Sequence, residues 1–126
     1  MIGYVMFGTN NITESTAFYD SFFDKLGIIK VEIQKGFVGY AIKKHPENVI
    51  FYLTKPYNNE KASFGNGTML AFEASSNMVV SDCHSIALKQ GAINEGSPGL
   101  REGYGSTYYS YFRDLDNNKV CIFSKE

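Results

Sequence analysis

A chain of 126 residues, 44% hydrophobic and 20% charged with a net charge of −1, is long enough for one domain and a sizeable core. Near-neutrality without a Lys/Arg cluster gives no electrostatic case for a nucleic acid or an anionic membrane surface. No apolar run approaches the ~20 residues of a membrane-spanning helix, and the opening MIGYVMFGTN lacks the basic start and apolar length of a leader. The expectation is a cytoplasmic protein of one domain, residues 1–126.

In chain order, residues 2–8 are short, apolar and bounded by T-N-N, which predicts a strand. Asn11 then stands as a helix N-cap with Glu14 three residues on, an Asn version of the capping box. Ser15, Phe18, Tyr19, Phe22, Phe23 and Leu26 follow at helical spacing, and Gly27 closes the helix. Strands are predicted at 28–33, 37–42 and 49–54, the first two joined by a Q-K-G turn in which Gly36 supplies a positive φ. Residues 55–66 read as a polar loop. The order then restarts with a strand at 68–74 and a helix capped by Ser75 or Ser76, with Val80, Cys83, Ala87 and Leu88 on one face and Gly91 at its end. A Gly/Pro-rich stretch, NEGSPGLREGYG, leads to strands at 107–112 and 119–124.

Laying residue 4 on residue 69 puts Phe7 on Phe72 and brings the two helices into register, an internal duplication. The predicted fold is therefore α+β: two βαβββ modules, about 1–56 and 66–126, forming a curved, mostly antiparallel sheet around a pocket, with one helix packed on each module. Strand alternation assigns the faces. If Val5, Phe7, Phe51, Leu53, Leu70, Phe72, Val120 and Ile122 pack on the helices, then Tyr4, Met6, Tyr52, Met69, Cys121 and Phe123 line the concave side. Nine tyrosines exceed what packing asks, since each buried hydroxyl needs a partner, and a tyrosine-lined concavity accounts for them.

The stretches S-T-A-F-Y-D (15–20), G-N-G-T-M-L-A-F-E-A (65–74) and Y-F-R-D-L-D-N-N-K-V (111–120) resemble the vicinal oxygen chelate superfamily, which includes glyoxalase I, bleomycin and fosfomycin resistance proteins and extradiol dioxygenases. The chain is most similar to the small bacterial glyoxalase-like proteins of unassigned substrate. The family's aromatic-x-D-P-D-G-N-K-I-E ending implies that D-L-D-N-N is a hairpin turn, with Asn117 in the place of the family's Gly. Asp114, Asp116 and Asn118 otherwise look like the start of a calcium loop, but that loop needs Gly and Glu where Lys119 and Lys125 stand. The turn's carboxylates are accordingly expected to bind nothing.

The resemblance also implies four metal-ligand positions, on the first and last strand of each module, and here they fall on Tyr4, Tyr52, Met69 and Cys121. None is a usual ligand of the family, so no metal and no cofactor is expected; Cu(I) on Met69 and Cys121 is the weaker alternative to core packing. His45 sits in a polar turn, and His84 cannot chelate with its neighbour Cys83 because adjacent helical residues point about 100° apart. Two cysteines make no disulfide framework or zinc motif, and both are read as buried thiols.

The expected ligand pocket comprises Tyr4, Met6, Tyr52, Met69, Arg101, Tyr104, Tyr109, Tyr111, Cys121 and Phe123, the 100–111 segment forming a flexible aromatic lid whose Arg101 meets an anionic ligand. Catalytic residues are not identified; the candidates are Tyr4 and Tyr52 as acids and Glu73 as a base. The leading expectation is a metal-free binder of a small molecule in an aromatic pocket, with a homodimer and no nucleic-acid or membrane partner. The alternatives are a lyase, isomerase or dioxygenase of the superfamily with an atypical site, or a dimeric scaffold whose pocket is filled.

Overall fold

The computed structural model describes Met1 to Glu126. The chain runs β1 (Val5–Gly8), α1 (Ile12–Phe23), a 3₁₀ turn (Asp24–Leu26), β2 (Ile28–Ile33), β3 (Phe37–Ile42) and β4 (Val49–Thr54), then β5 (Met69–Glu73), α2 (Asn77–Lys89), β6 (Ile93–Leu100), β7 (Tyr108–Arg113) and β8 (Lys119–Ser124). The repeated strand–helix–three-strand order is the predicted βαβββ duplication. Each module makes its own four-stranded sheet, β1-β4-β3-β2 and β5-β8-β7-β6. In each, the first and last strands lie side by side and parallel, and the remaining pairings are antiparallel. No helix is long and apolar enough to cross a membrane.

Local sequence sets the helix ends. Asn11 is extended at φ −146°, and its side chain accepts from the Glu14 N–H at 3.0 Å, removing one of the orphan donors of the first turn. The capping box is only half made, because the Asn11 N–H donates to Thr9 Oγ1 at 3.1 Å rather than to Glu14. Ser76 caps α2 by accepting from the Val79 N–H at 3.2 Å. Gly27, at φ +70°, turns the chain out of the 3₁₀ turn, a conformation that costs a residue with a Cβ about 1–2 kcal/mol.

Three expectations are corrected. Gly36 is not at positive φ; its turn is closed by the Gln34 N–H to Phe37 O bond at 2.9 Å. The Gly/Pro-rich stretch contains β6, an edge strand whose register shifts between Asn94 and Gly96 and again between Gly96 and Gly99. Bulges erase the alternation that announces a strand, and an edge tolerates Pro98 with its missing donor. On α2, His84 is buried with Val80, Cys83 and Ala87, while Leu88 is only half-buried. The His84 Nε2 lies 3.1 Å from Asn94 Oδ1 and 3.3 Å from Tyr111 O, both acceptors, so it carries the proton and ties α2 to β6 and β7.

The core is continuous across the modules. Phe18, Tyr19, Phe22 and Phe23 of α1 form one aromatic cluster with Phe51 of β4, Phe72 of β5 and Phe112 of β7. Edge-on pairs such as Phe22–Phe112 (ring centroids 5.8 Å apart) and Phe51–Phe72 (5.7 Å) join one module's elements to the other's sheet.

The hairpin turn before β8 is a second joint. Asn117 takes φ +67°, as a turn residue in the left-handed region must. The carboxylates expected to bind nothing instead bind protein. Asp114 is 2% exposed and accepts from Tyr19 Oη at 2.7 Å, from Asn118 Nδ2 at 3.1 Å, and from the N–H groups of Asp116 and Asn118 at 2.9 Å each. Asp116 accepts from the Asn10 N–H at 2.9 Å, and Asn118 Nδ2 also reaches Gly8 O at 3.4 Å. The Asp114 carboxylate is thus spent on the turn itself and on Tyr19, and Asp116 and Asn118 add bonds to the first module.

Candidate functional site

The faces turned away from the helices carry the site residues. In the first module Met6 lies beside Tyr52 in the β1–β4 ladder, and Phe7 lies beside Leu53. In the second, Phe72 lies beside Ile122 and Ala71 beside Cys121, which makes Tyr52 the counterpart of Cys121 and fixes the β4 register. Tyr4 and Met6 are 57% and 48% exposed. The Tyr4 and Tyr52 rings meet edge-on at 5.1 Å, and Phe37 of β3 adds a third ring 5.9 Å from Tyr52. Gly39 makes room for this arrangement, since a Cβ there would lie 3.0 Å from the Tyr52 ring. The Tyr52 hydroxyl donates to Glu32 Oε1 at 3.3 Å. Desolvation and then the Glu32 charge hold its pKa above the ordinary 10, so it remains a phenol and a donor.

In the second module the corresponding face is an aromatic and cationic platform. Tyr109 and Tyr111 project from β7 with ring planes 7° apart and centroids 6.0 Å apart; Phe123 packs at 6.1 Å and Tyr104 at 6.0 Å from Tyr109. The Arg101 guanidinium lies 5.4 Å from the Tyr111 ring centroid, and the Lys119 ammonium lies 5.5 Å from the same ring. Arg101 is held in place by donating to Ser97 O (2.8 Å), Gly99 O (3.1 Å) and Leu100 O (3.2 Å). Neither cation is within ion-pairing distance of a carboxylate, whereas Arg113 on the same face is bound by Glu95 at 2.6 Å. A Cβ at Gly96 would sit 2.8 Å from the Tyr111 ring and 3.0 Å from Arg101, so this glycine admits the stack.

The segment expected to be a lid is therefore divided. Tyr109 and Tyr111 are strand residues, Leu100 ends β6, and only 101–107 form a loop, with Gly103 and Gly105 at φ +81° and +68°. Tyr108 faces the other way, its hydroxyl 3.3 Å from Ser81 Oγ on α2. Met69 is 44% exposed and Glu73 is exposed at the end of β5, while Cys121 is buried beneath the platform. The aromatic contacts of Tyr4 and Tyr52 stay within the first module, and those of Tyr104, Tyr109, Tyr111 and Phe123 within the second. The chain presents two half-sites, and its main cavities lie elsewhere. Lys119, Phe37, Glu32 and Gly96 are site residues that sequence reasoning missed; alternation along 119–123 was the signal that puts Lys119 on the face of Cys121.

The donor chemistry does not fit the metal that the fold family implies. The four ligand positions offer two phenols, a thioether and a thiol, with no imidazole or carboxylate among them. No three His, Cys, Asp or Glu side chains gather anywhere in the chain. Burial pushes the Cys121 thiol up to about 11, with the Ser110 backbone, Arg101 and Lys119 opposing, and burial pushes Cys83 up to about 12. Both groups are thiols across the physiological range, because an acid whose pKa is raised stays protonated until the pH reaches that value. Native protein at about pH 8 is expected to show no thiol reacting quickly with dithionitrobenzoate, and both after denaturation. A fast native thiol would mean that one of them is an exposed thiolate.

Two parallel-ended βαβββ modules sharing one core define a protein of the vicinal oxygen chelate class. No family model and no curated protein matches the chain. Among solved structures, a glyoxalase/bleomycin resistance protein from Albidiferax ferrireducens is 32% identical over 98% of both chains, with a TM-score of 0.86. A glyoxalase/bleomycin resistance protein/dioxygenase family enzyme from Burkholderia phytofirmans (19% identity, 98% and 97% of the two chains, TM-score 0.73) shares the fold. So does the fosfomycin resistance protein FosX of Mesorhizobium loti (16%, 100% and 92%, TM-score 0.71). The chain belongs to the glyoxalase/bleomycin resistance protein family.

Proposed function

We propose that this family member binds a small aromatic or amphipathic anion without a metal, on the faces that carry Tyr4, Tyr52, Tyr109 and Tyr111. The observation that carries the reading is the platform of Tyr109 and Tyr111, flanked by Arg101 and Lys119, neither of which forms a direct ion pair, Glu95 acting on Lys119 only from beyond contact. Parallel rings offer stacking surface to a planar ligand, and the two cations offer a counter-charge to its anionic group. The Tyr52 hydroxyl, whose proton goes to Glu32, supplies a placed acceptor oxygen on the other half-site. Sequestration needs shape, aromatic surface and a few placed polar groups, all of which these faces supply without a Lewis acid.

A second copy of the chain would close the site. Tyr4, Met6 and Met69 leave apolar surface open on the two half-sites, and covering it in a homodimer would remove that surface from water. Unbridged Cys83 and Cys121 accord with a reducing, cytoplasmic setting.

A thermal-shift screen of aromatic carboxylates, phenols and antibiotics tests the reading, since a ligand at a hundred times its Kd adds about 2.7 kcal/mol. Tyr52→Phe is expected to weaken a hit by about 0.5–1.5 kcal/mol while leaving unliganded stability within about 0.5 kcal/mol. An unfolded Tyr52→Phe protein would make the residue structural. A second reading, a lyase or isomerase with an atypical site, has one favourable observation: Tyr52 is kept protonated as an acid would be, and Glu73 is an exposed carboxylate on the other half-site. Stoichiometric Zn, Ni or Fe in purified protein, together with turnover of a methylglyoxal–thiol adduct, would sink the metal-free binder.

A further inference from the structure

A polar concavity lies away from both aromatic faces, at the carboxyl ends of the parallel pair β1–β4. It has a volume of about 370 Å³ and is walled by the chain leaving β1, the chain leaving β4, the β2–β3 turn and the loop that follows β4.

The walls are fixed rather than loose. Asn10 clamps the far loop through Ala62, accepting from its N–H at 2.7 Å and donating Nδ2 to its carbonyl at 3.3 Å. Asn59 holds φ +62°, and its N–H donates to Pro56 O at 3.0 Å. The Lys55 N–H donates to Gly36 O at 2.8 Å, tying the end of β4 to the β2–β3 turn. A side chain bonded to both the N–H and the C=O of one residue, and a turn closed at Asn59, hold this loop in place.

Three lysines, Lys35, Lys55 and Lys61, line this cavity from three different segments. None is within ion-pairing distance of a carboxylate, although Lys25 and Lys30 elsewhere each have one. Glu60 is the single carboxylate in the wall and pairs with none of the three. The wall has one hydrophobic residue, Ile12, and no aromatic ring, so it has nothing on which a base or other planar group would stack. Lysines placed around one concavity from three segments suit a compact anion with charge spread over several oxygens, which is the chemistry of phosphate.

We propose that this cavity is a second ligand site, separate from the aromatic faces, that takes a small non-aromatic anion bearing more than one phosphate group. Lys35, Lys55 and Lys61 neutralise the phosphate oxygens, their three positive charges outweighing the single carboxylate of Glu60.

Titration calorimetry at low ionic strength, with inorganic pyrophosphate as the probe and citrate as the charge-matched control, tests this. Saturable binding of one pyrophosphate per chain is expected, with citrate weaker and affinity falling as salt is raised. Lys35→Ala/Lys55→Ala is expected to weaken pyrophosphate by about tenfold or more, two ammonium–phosphate contacts being lost. All three lysines are exposed, so the unfolding midpoint without pyrophosphate should not move; Lys61→Glu gives an independent variant with the same expected loss. Amide shifts induced by pyrophosphate should centre on Lys55 and Asn59. Four results would each overturn the proposal: no saturation, equal affinity in the variants, citrate binding as tightly, or shifts centred on Arg101 and Tyr111. The last would assign the anion to the aromatic face and leave the metal-free binder reading intact.

Discussion

Asp114→Ala is expected to lower the free energy of unfolding by about 3–5 kcal/mol, since buried donors left without acceptors cost roughly 1–3 kcal/mol each. Four donors lose an acceptor at once, the Tyr19 hydroxyl, the Asn118 amide, and the backbone N–H groups of Asp116 and Asn118, and of these the Asn118 amide alone keeps another, Gly8 O. Tyr19 is wholly buried and has no water to turn to. Denaturant unfolding of the variant measures the loss, and a cycle with Tyr19→Phe isolates the cross-module bond at about 1.5–3 kcal/mol of coupling. A loss under about 1 kcal/mol would show that the turn is held by its backbone alone.

The same residue has a pH signature. Burial raises the Asp114 pKa above its usual 3.8, and the bonds from Tyr19 and Asn118 only partly offset this. The folded protein therefore holds the proton more tightly than the unfolded chain does. Stability from this group is full below 3.8 and declines as the pH rises through the raised folded value, the reverse of a salt-bridged aspartate. The stability difference between the native protein and Asp114→Ala should accordingly narrow as the pH rises through that window.

Phe23→Ala is expected to cost about 3–5 kcal/mol, the loss of a buried aromatic plus the cavity it leaves. Phe23 is 1% exposed and closes α1 against five rings: Tyr19, Phe22, Tyr40, Phe51 and Phe72, with centroids 4.8–5.8 Å away. Phe72 belongs to the second module, so the cavity would open on the boundary and slacken the sheet that carries Tyr111. Denaturation should show a lower midpoint with an unchanged slope. A loss below about 1 kcal/mol would mean that the surrounding rings collapse into the space.

Local rules were legible where the interactions are local. The cap at Asn11, the left-handed Gly27 and the alternation in 49–54 and 69–73 need only neighbours within a few positions, and each is where the sequence puts it. The internal repeat supplied the order of the modules, and alternation supplied the faces of Tyr52 and Cys121. What escaped is long-range or aperiodic. The β6 strand is interrupted by two register shifts, so its residues never alternate. The burial of His84 depends on acceptors from β6 and β7 that no helical pattern encodes. Asp114 read as a turn former because its role toward Tyr19 links positions 95 apart.

That separation has a kinetic consequence. The bonds from Asn10 to Asp116, Tyr19 to Asp114 and Asn118 to Gly8 span 106, 95 and 110 positions, while the ladders span far less. Closing such long loops is entropically costly before any contact rewards it, so hairpins within each module form earlier than the clasp between them. Substitutions in the clasp should then speed unfolding and leave the refolding rate nearly untouched. The three bonds of an inconspicuous turn thereby bear on how long the two aromatic faces stay in a fixed mutual orientation, rather than on how quickly either face is made.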